Sequence, residues 1–163
     1  RIIMNENLVV GKVEFEPRPD HYGLLSRIRR SENPIPKVFI CIRLRPKSKN
    51  LVRAKWEFKH NIKRAKIAAR YATLNGYDPE ATTIYFTQFL NDFSVKEREL
   101  GMKIGQVRLI NCNKLWAILD ESEALSSGMV SDMKMAEENG IPIEYKDFSE
   151  IMAWVKNYNK TSH

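Results

Sequence analysis

The sequence predicts a three-layer α/β domain, with a mainly parallel sheet of about four to five strands and helices on both faces. Two observations carry this. Short apolar runs rich in β-branched and aromatic residues recur after Lys37, as in strands buried on both sides. Between them lie segments of helical periodicity, long enough for βαβ crossovers that keep successive strands parallel.

The first strand is VFICI (Val38–Ile42), followed by the polar loop RLRPKSKN. Residues 54–75 have helical spacing, with Ile62, Ala65, Ala69 and Ala72 on one face and Gly76 as the stop. ATTIYFTQF (Ala81–Phe89) reads as a second strand and its exit loop, on the strength of its β-branched and aromatic content. Ser94 and Glu97 have the spacing of a capping box opening a helix to about Asn111. KLWAIL (Lys114–Leu119) is a third buried strand. A helix from about Gly128 to Asn139 follows, closed by Gly140. IPIEY (Ile141–Tyr145) is a short fourth strand and residues 148–158 a terminal helix. This alternation is the pattern of flavodoxin-like and Rossmann-like folds.

Residues 1–36 are the least regular part and too short to bury an interior of their own. They read as an appendage to a domain spanning residues 37–163. No stretch approaches the roughly 20 apolar residues of a membrane span, and the start lacks the basic-then-apolar pattern of a signal peptide. A cytoplasmic protein without membrane contact is therefore expected. Cys41 and Cys112 sit in apolar runs, as buried reduced thiols do. His21, His60 and His163 show no ligand spacing to either cysteine. Neither a metal nor another cofactor is expected.

Charge is unevenly spread. Residues 1–76 carry 18 Lys/Arg against 6 Asp/Glu, whereas residues 77–163 carry 9 against 14. The densest stretch, Arg43–Arg70, has 11 basic residues opposed only by Glu57. It suits a polyanion, a nucleic acid or an acidic protein partner, but such runs are more often solvated helix faces. Base stacking would need interleaved aromatics, and Trp56 and Phe58 read as core residues.

In open parallel sheets ligands bind beyond the carboxyl ends of the strands, which selects the segments Arg43–Asn50, Thr87–Ser94 and Asp120–Asp132. In the third, SSGM ends a loop and begins a helix. The backbone N–H groups of Gly128, Met129 and Val130 are expected to be unpaired there and to face a phosphate or sugar oxygen. Ser126 and Ser127 lead into that turn, Gly128 permits close approach, and Asp132 stands one turn inside. An ordinary serine cap would look the same. Arg43 and Arg45 are candidates for bidentate phosphate contacts, or else solvated loop charges. Asn61 is a candidate to face the pocket. Tyr85 and Trp116 are candidates for base stacking, although mid-strand Trp116 fits the core better.

The series KVFICIRLRP, HNIKRAKIAARYATLNGY, IYFTQFLND with KERELGM, CNKLWAIL, SSGMVSDMKMA and GIPIEY, spanning Lys37–Tyr145, resembles the nucleoside 2-deoxyribosyltransferase-like superfamily. It looks closest to small proteins of phages and mobile elements. The resemblance implies a nucleoside or nucleotide ligand, chemistry at an N-glycosidic bond by transfer or hydrolysis, and a homo-oligomer. It also implies a nucleophilic carboxylate at Asp132, attacking the anomeric carbon.

The sequence departs from the pattern in four places. Ile42-Arg43 replaces a small residue and proline, Thr82-Thr83 replaces Pro-His, and Asn113 replaces an aspartate. Asp132 itself stands where a glutamate is usual, its carboxylate retracted by a methylene, about 1.5 Å. Two readings follow: an enzyme of altered substrate, or an inactive module that senses or sequesters a nucleotide. A third is interaction through Arg43–Arg70 with the pocket vestigial.

Overall fold

A computed structural model describes residues 35–161 of the 163-residue chain, so what was read on residues 1–34 lies outside it. Four strands form one parallel sheet: β1 (Lys37–Ile42), β2 (Asp78–Glu80), β3 (Lys114–Leu119) and β4 (Ile143–Asp147), in the order β2-β1-β3-β4. Five helices accompany them: α1 (Leu51–Leu74), α2 (Thr82–Thr87), α3 (Val95–Leu109), α4 (Ser127–Glu138) and α5 (Phe148–Thr161). The architecture is the expected three-layer, Rossmann-like α/β fold.

Both faces of the central strands are apolar because both are covered. Val38, Ile40 and Ile42 of β1 and Trp116 and Ile118 of β3 pack against α1 and α5. Phe39, Cys41, Leu115 and Ala117 point the other way, onto α3 and α4. In-register pairing of Ile40 with Trp116 and Ile42 with Ile118 continues these layers across the sheet. The α1 side is lined by Ala65, Ala68 and Ala72, whose small side chains let the helix lie close. Asn50 caps α1 by accepting from Arg53 N–H at 3.0 Å, so the helix begins at Leu51 rather than Ala54. Gly140 closes α4 at φ +68°, with Ile141 N–H donating to Ala136 O at 2.8 Å, a left-handed cap that favours glycine.

The structure corrects the second strand. Residues 82–87 are helix α2, and β2 is the three-residue edge segment Asp78–Glu80. Pro79, which cannot donate to a neighbour, is tolerated at this edge. The TTIYFT run has high β propensity, but its contacts follow a helical period. A Cβ on Gly105 of α3 would lie 3.4 Å from Thr82 Oγ1, and one on Gly101 would lie 3.4 Å from Leu90 and 3.6 Å from Phe86. Residues 82, 86 and 90 thus share one face against a glycine-notched helix, and packing overrides propensity. Trp56 is also corrected: it is 66% exposed, since it lies opposite the alanine face of α1. The fourth strand runs two residues later than read, at Ile143–Asp147.

Candidate functional site

At the carboxyl edge of the sheet, a cavity with about 780 Å³ of empty space, including its open mouth, lies among the β1 exit, α2, α3 and the start of α4. Ile42, Phe86, Leu90, Met102 and Met129 give it apolar walls; Arg45, Asp92 and Arg98 bring charge to it. Its position follows from the topology: the connection from β1 runs to β2 on one side of it, and the next, from β2, crosses back to β3 on the other, so the strand order reverses beside β1.

Asp132 lines this cavity from α4. No cation pairs with it and no hydrogen bond reaches its carboxyl among the described residues. Burial alone pushes it up to about 7 from the ordinary 3.8. Its neighbour Cys41, wholly buried with Sγ 3.9 Å from Met129 O, is raised by burial and by the Asp132 charge. A carboxyl titrating near neutrality in a cavity fits proton transfer or nucleophilic attack. Asp92 is also raised by burial, against the opposing charges of Arg98 and Arg45.

The start of α4 differs in detail from expectation. Ser126 caps the helix by accepting from Met129 N–H at 3.3 Å, and Val130 N–H donates to Ser126 O at 2.9 Å. Two of the three amides read as open are therefore engaged. Those left without a protein partner among the described residues belong to Ser127 and Gly128. Ser126, Gly128 and Met129 line the cavity, whereas Ser127 is exposed outside it. Gly128 has an ordinary φ, and the nearest atom to a Cβ there is Ser126 Oγ at 4.0 Å. Neither backbone conformation nor protein packing demands glycine at this position, so its effect is to leave space at the cavity wall. Thr83 Oγ1, also on the lining residues, is buried without a hydrogen-bond partner.

Of the remaining sequence candidates, only Arg45 lines this cavity. Arg43 is committed elsewhere: its Nε donates to Glu123 at 3.1 Å and its NH2 to Ala124 O at 2.7 Å. Asn61 is buried and donates to Leu44 O at 3.0 Å, fixing the β1 exit loop. Both border a second, charged crevice with Arg64, Asp120 and Glu123. Tyr85 lies on the outer side of α2, edge-on to Phe86 and Phe89 and 4.5 Å below the Arg108 guanidinium. Asn113 belongs to the opposite, amino edge of the sheet, where its Oδ1 accepts from Lys37 N–H at 2.7 Å. Trp116 is core, its Nε1 donating to Glu144 at 3.0 Å.

Phe86 and Arg98 are not among the sequence candidates, and Thr83 and Asp92 enter there only as a departure from the family pattern and as part of the segment Thr87–Ser94. Glu97 reads in the sequence as the partner of Ser94 in a capping box. Ser94 does cap α3, but Glu97 accepts from Asn91 N–H at 2.7 Å, and Arg98 faces the cavity. The available signal was Gly101 with Gly105, a pair one turn apart that makes room for a neighbouring helix.

Among the described residues, no helix is long and apolar enough to cross a membrane. The family model described as Domain of unknown function (DUF7768) matches residues 36–146. No curated protein and no solved structure matches the chain.

Proposed function

The chain belongs to this family of unknown function, and we propose that its carboxyl-edge cavity binds a nucleoside or nucleotide and acts at the N-glycosidic bond. The observation that carries this reading is Asp132, a half-buried carboxyl without a cation partner among the described residues, in one cavity with the open space over Gly128. The Gly128 amide and the partnerless Thr83 hydroxyl offer hydrogen bonds to sugar oxygens, and Arg45 and Arg98 offer charge to a phosphate. Phe86 and the methionines offer an apolar surface to the base. In the reaction, an Asp132 oxygen bonds to the anomeric carbon as the carbon–nitrogen bond breaks and the base leaves, taking a proton from water. Water or a second base then releases the sugar and returns the carboxylate.

A second reading keeps the ligand and drops the chemistry. It is favoured by the same burial, which leaves Asp132 largely protonated just below neutral pH, and by its short side chain. Incubation with a panel of nucleosides and 5′-nucleotides, followed by chromatography, separates the two. Release of free base that Asp132→Ala abolishes establishes the enzyme. A ligand-induced rise in melting temperature with the ligand recovered intact establishes the binding module. Neither turnover nor a melting shift across the panel would sink both.

A further inference from the structure

Helix α1 carries a face that the cavity does not use. At 100° per residue, Lys55, Lys59, Lys63, Lys66 and Arg70 fall within an arc of about 80°, on the side away from buried Ala54, Ala65, Ala68 and Ala72. All five are exposed, and none has a carboxylate partner among the described residues. Arg70 is held by a neutral group, Asn159, at 2.7 Å. The helix's one acid, Glu57, is taken by the amides of Lys47 and Ser48 and by Arg53. Surfaces that only need solubility intersperse both signs; this one has a single sign along about 22 Å of helix.

Trp56 lies on the border of that stripe, about 20° beyond Lys63. It is 66% exposed, and its ring stacks on His60 with centroids 5.5 Å apart and planes 6° from parallel. A large aromatic left exposed beside five cations that have no carboxylate partner among the described residues combines backbone neutralisation with a stacking platform, as single-strand-binding surfaces do. A duplex offers the cations phosphates but keeps its base faces covered, and a lipid headgroup offers the indole no flat partner.

We propose that the exposed face of α1 binds single-stranded nucleic acid, with Lys55, Lys59, Lys63, Lys66 and Arg70 against the phosphates and Trp56 stacked on a base. The test is fluorescence anisotropy of labelled 12-nucleotide DNA and RNA single strands with the full chain across a salt series. Duplex DNA and anionic phospholipid vesicles serve as competitors. Five phosphate contacts predict a log–log salt slope of about −3.5, and K59E/K63E, on exposed positions, lowers its magnitude by about 1.4. Trp56→Ala weakens single-strand binding by about 5- to 150-fold at unchanged slope, and Trp56→Phe restores most of the loss. Unchanged melting temperatures of these surface variants assign the effects to the face. Binding without salt dependence, indifference to Trp56→Ala, or equal or better competition by duplex or vesicles overturns the proposal.

Discussion

Arg64 of α1 grips Glu123 of the β3 exit loop with its two terminal guanidinium nitrogens, NH2 to Oε2 at 2.8 Å and NH1 to Oε1 at 3.3 Å. Both side chains are only 6% exposed. Arg43 reaches the same carboxylate from β1's exit, and Asp120 shares the Arg64 NH2 at 2.9 Å. This network ties the carboxyl ends of the two central strands to α1, beside the cavity rather than in it. Glu123→Ala leaves two mostly buried guanidiniums without that partner, a loss of about 3–5 kcal/mol. The melting temperature should fall by on the order of 10–20 °C. Adding Arg64→Met should regain part of the loss, because it removes a buried guanidinium left with only the half-exposed Asp120 as its carboxylate. A single variant as stable as the parent would contradict the role assigned to the pair. Burial alone would raise Glu123, but its bonds to Arg64 and the Arg43 charge hold it below the usual range. The stabilisation is therefore present above pH about 4.5 and lost as pH falls through the lower folded-state value.

Asp132 titrates in the opposite sense. Its folded-state value of about 7 lies above the ordinary 3.8, so both states hold the proton at pH 3. Between 4 and 7 only the unfolded chain ionises, and folding stability declines. Above 7 both states are ionised and the penalty is constant, on the order of 4 kcal/mol. Asp132→Asn removes that dependence. Its stability relative to the parent should climb by about that amount between pH 4 and pH 7 and then level off, as read by urea unfolding. A difference that stays flat across this range would mean the carboxyl is not desolvated in the folded state. If Asp132 is the nucleophile, turnover needs its ionised form and rises through pH 7 in the parent.

Gly128 in the first turn of α4 and Gly140 just past its end should respond differently to the same substitution. Gly128→Ala meets no atom closer than 4.0 Å at an ordinary φ, so the fold tolerates it, with a gain of up to about 1 kcal/mol in helix propensity. Its methyl occupies space at the cavity wall, so the thermal shift produced by a bound nucleoside or nucleotide should shrink. Gly140→Ala places a side chain at φ +68° and costs about 1–2 kcal/mol, with ligand binding intact. Calorimetric melting with and without ligand reads both effects. A full ligand response in Gly128→Ala would remove that position from the site.

What could be read from the chain follows from what each segment contacts. β1 and β3 are legible because both their faces are buried, so VFICI and LWAIL are apolar without interruption. Ser126 is legible as a cap. The same capping rule implies that Met129 N–H is consumed by the Ser126 hydroxyl, leaving the Gly128 amide as the open one at the cavity. Asn113 precedes β3, and in a parallel sheet that places it at the amino edge, away from every carboxyl-end loop. α2 was illegible because its composition favours a strand and its true partner, the Gly101–Gly105 notch, lies in a different helix. Trp56 was misread because a lone large aromatic in a helix is ordinarily core.

That notch gives a last test, of the wall between α2 and the cavity. A methyl on Gly105 would sit 3.4–3.6 Å from three atoms of Thr82, an ordinary contact, so Gly105→Ala should be near neutral. A leucine has no such room and must push α2 outward or strain its own rotamer, at about 1–3 kcal/mol. Because Thr82, Thr83 and Phe86 of α2 line the cavity with Gly105, displacement of α2 also disrupts the ligand's wall. Gly105→Leu should therefore lose both stability and ligand-induced stabilisation, while Gly105→Ala keeps both. Hydrogen exchange localises the change: amides of residues 82–90 should exchange faster in the leucine variant, with those of β1 and β3 as slow as in the parent. Unaltered exchange in residues 82–90 would show that α2 does not depend on the notch.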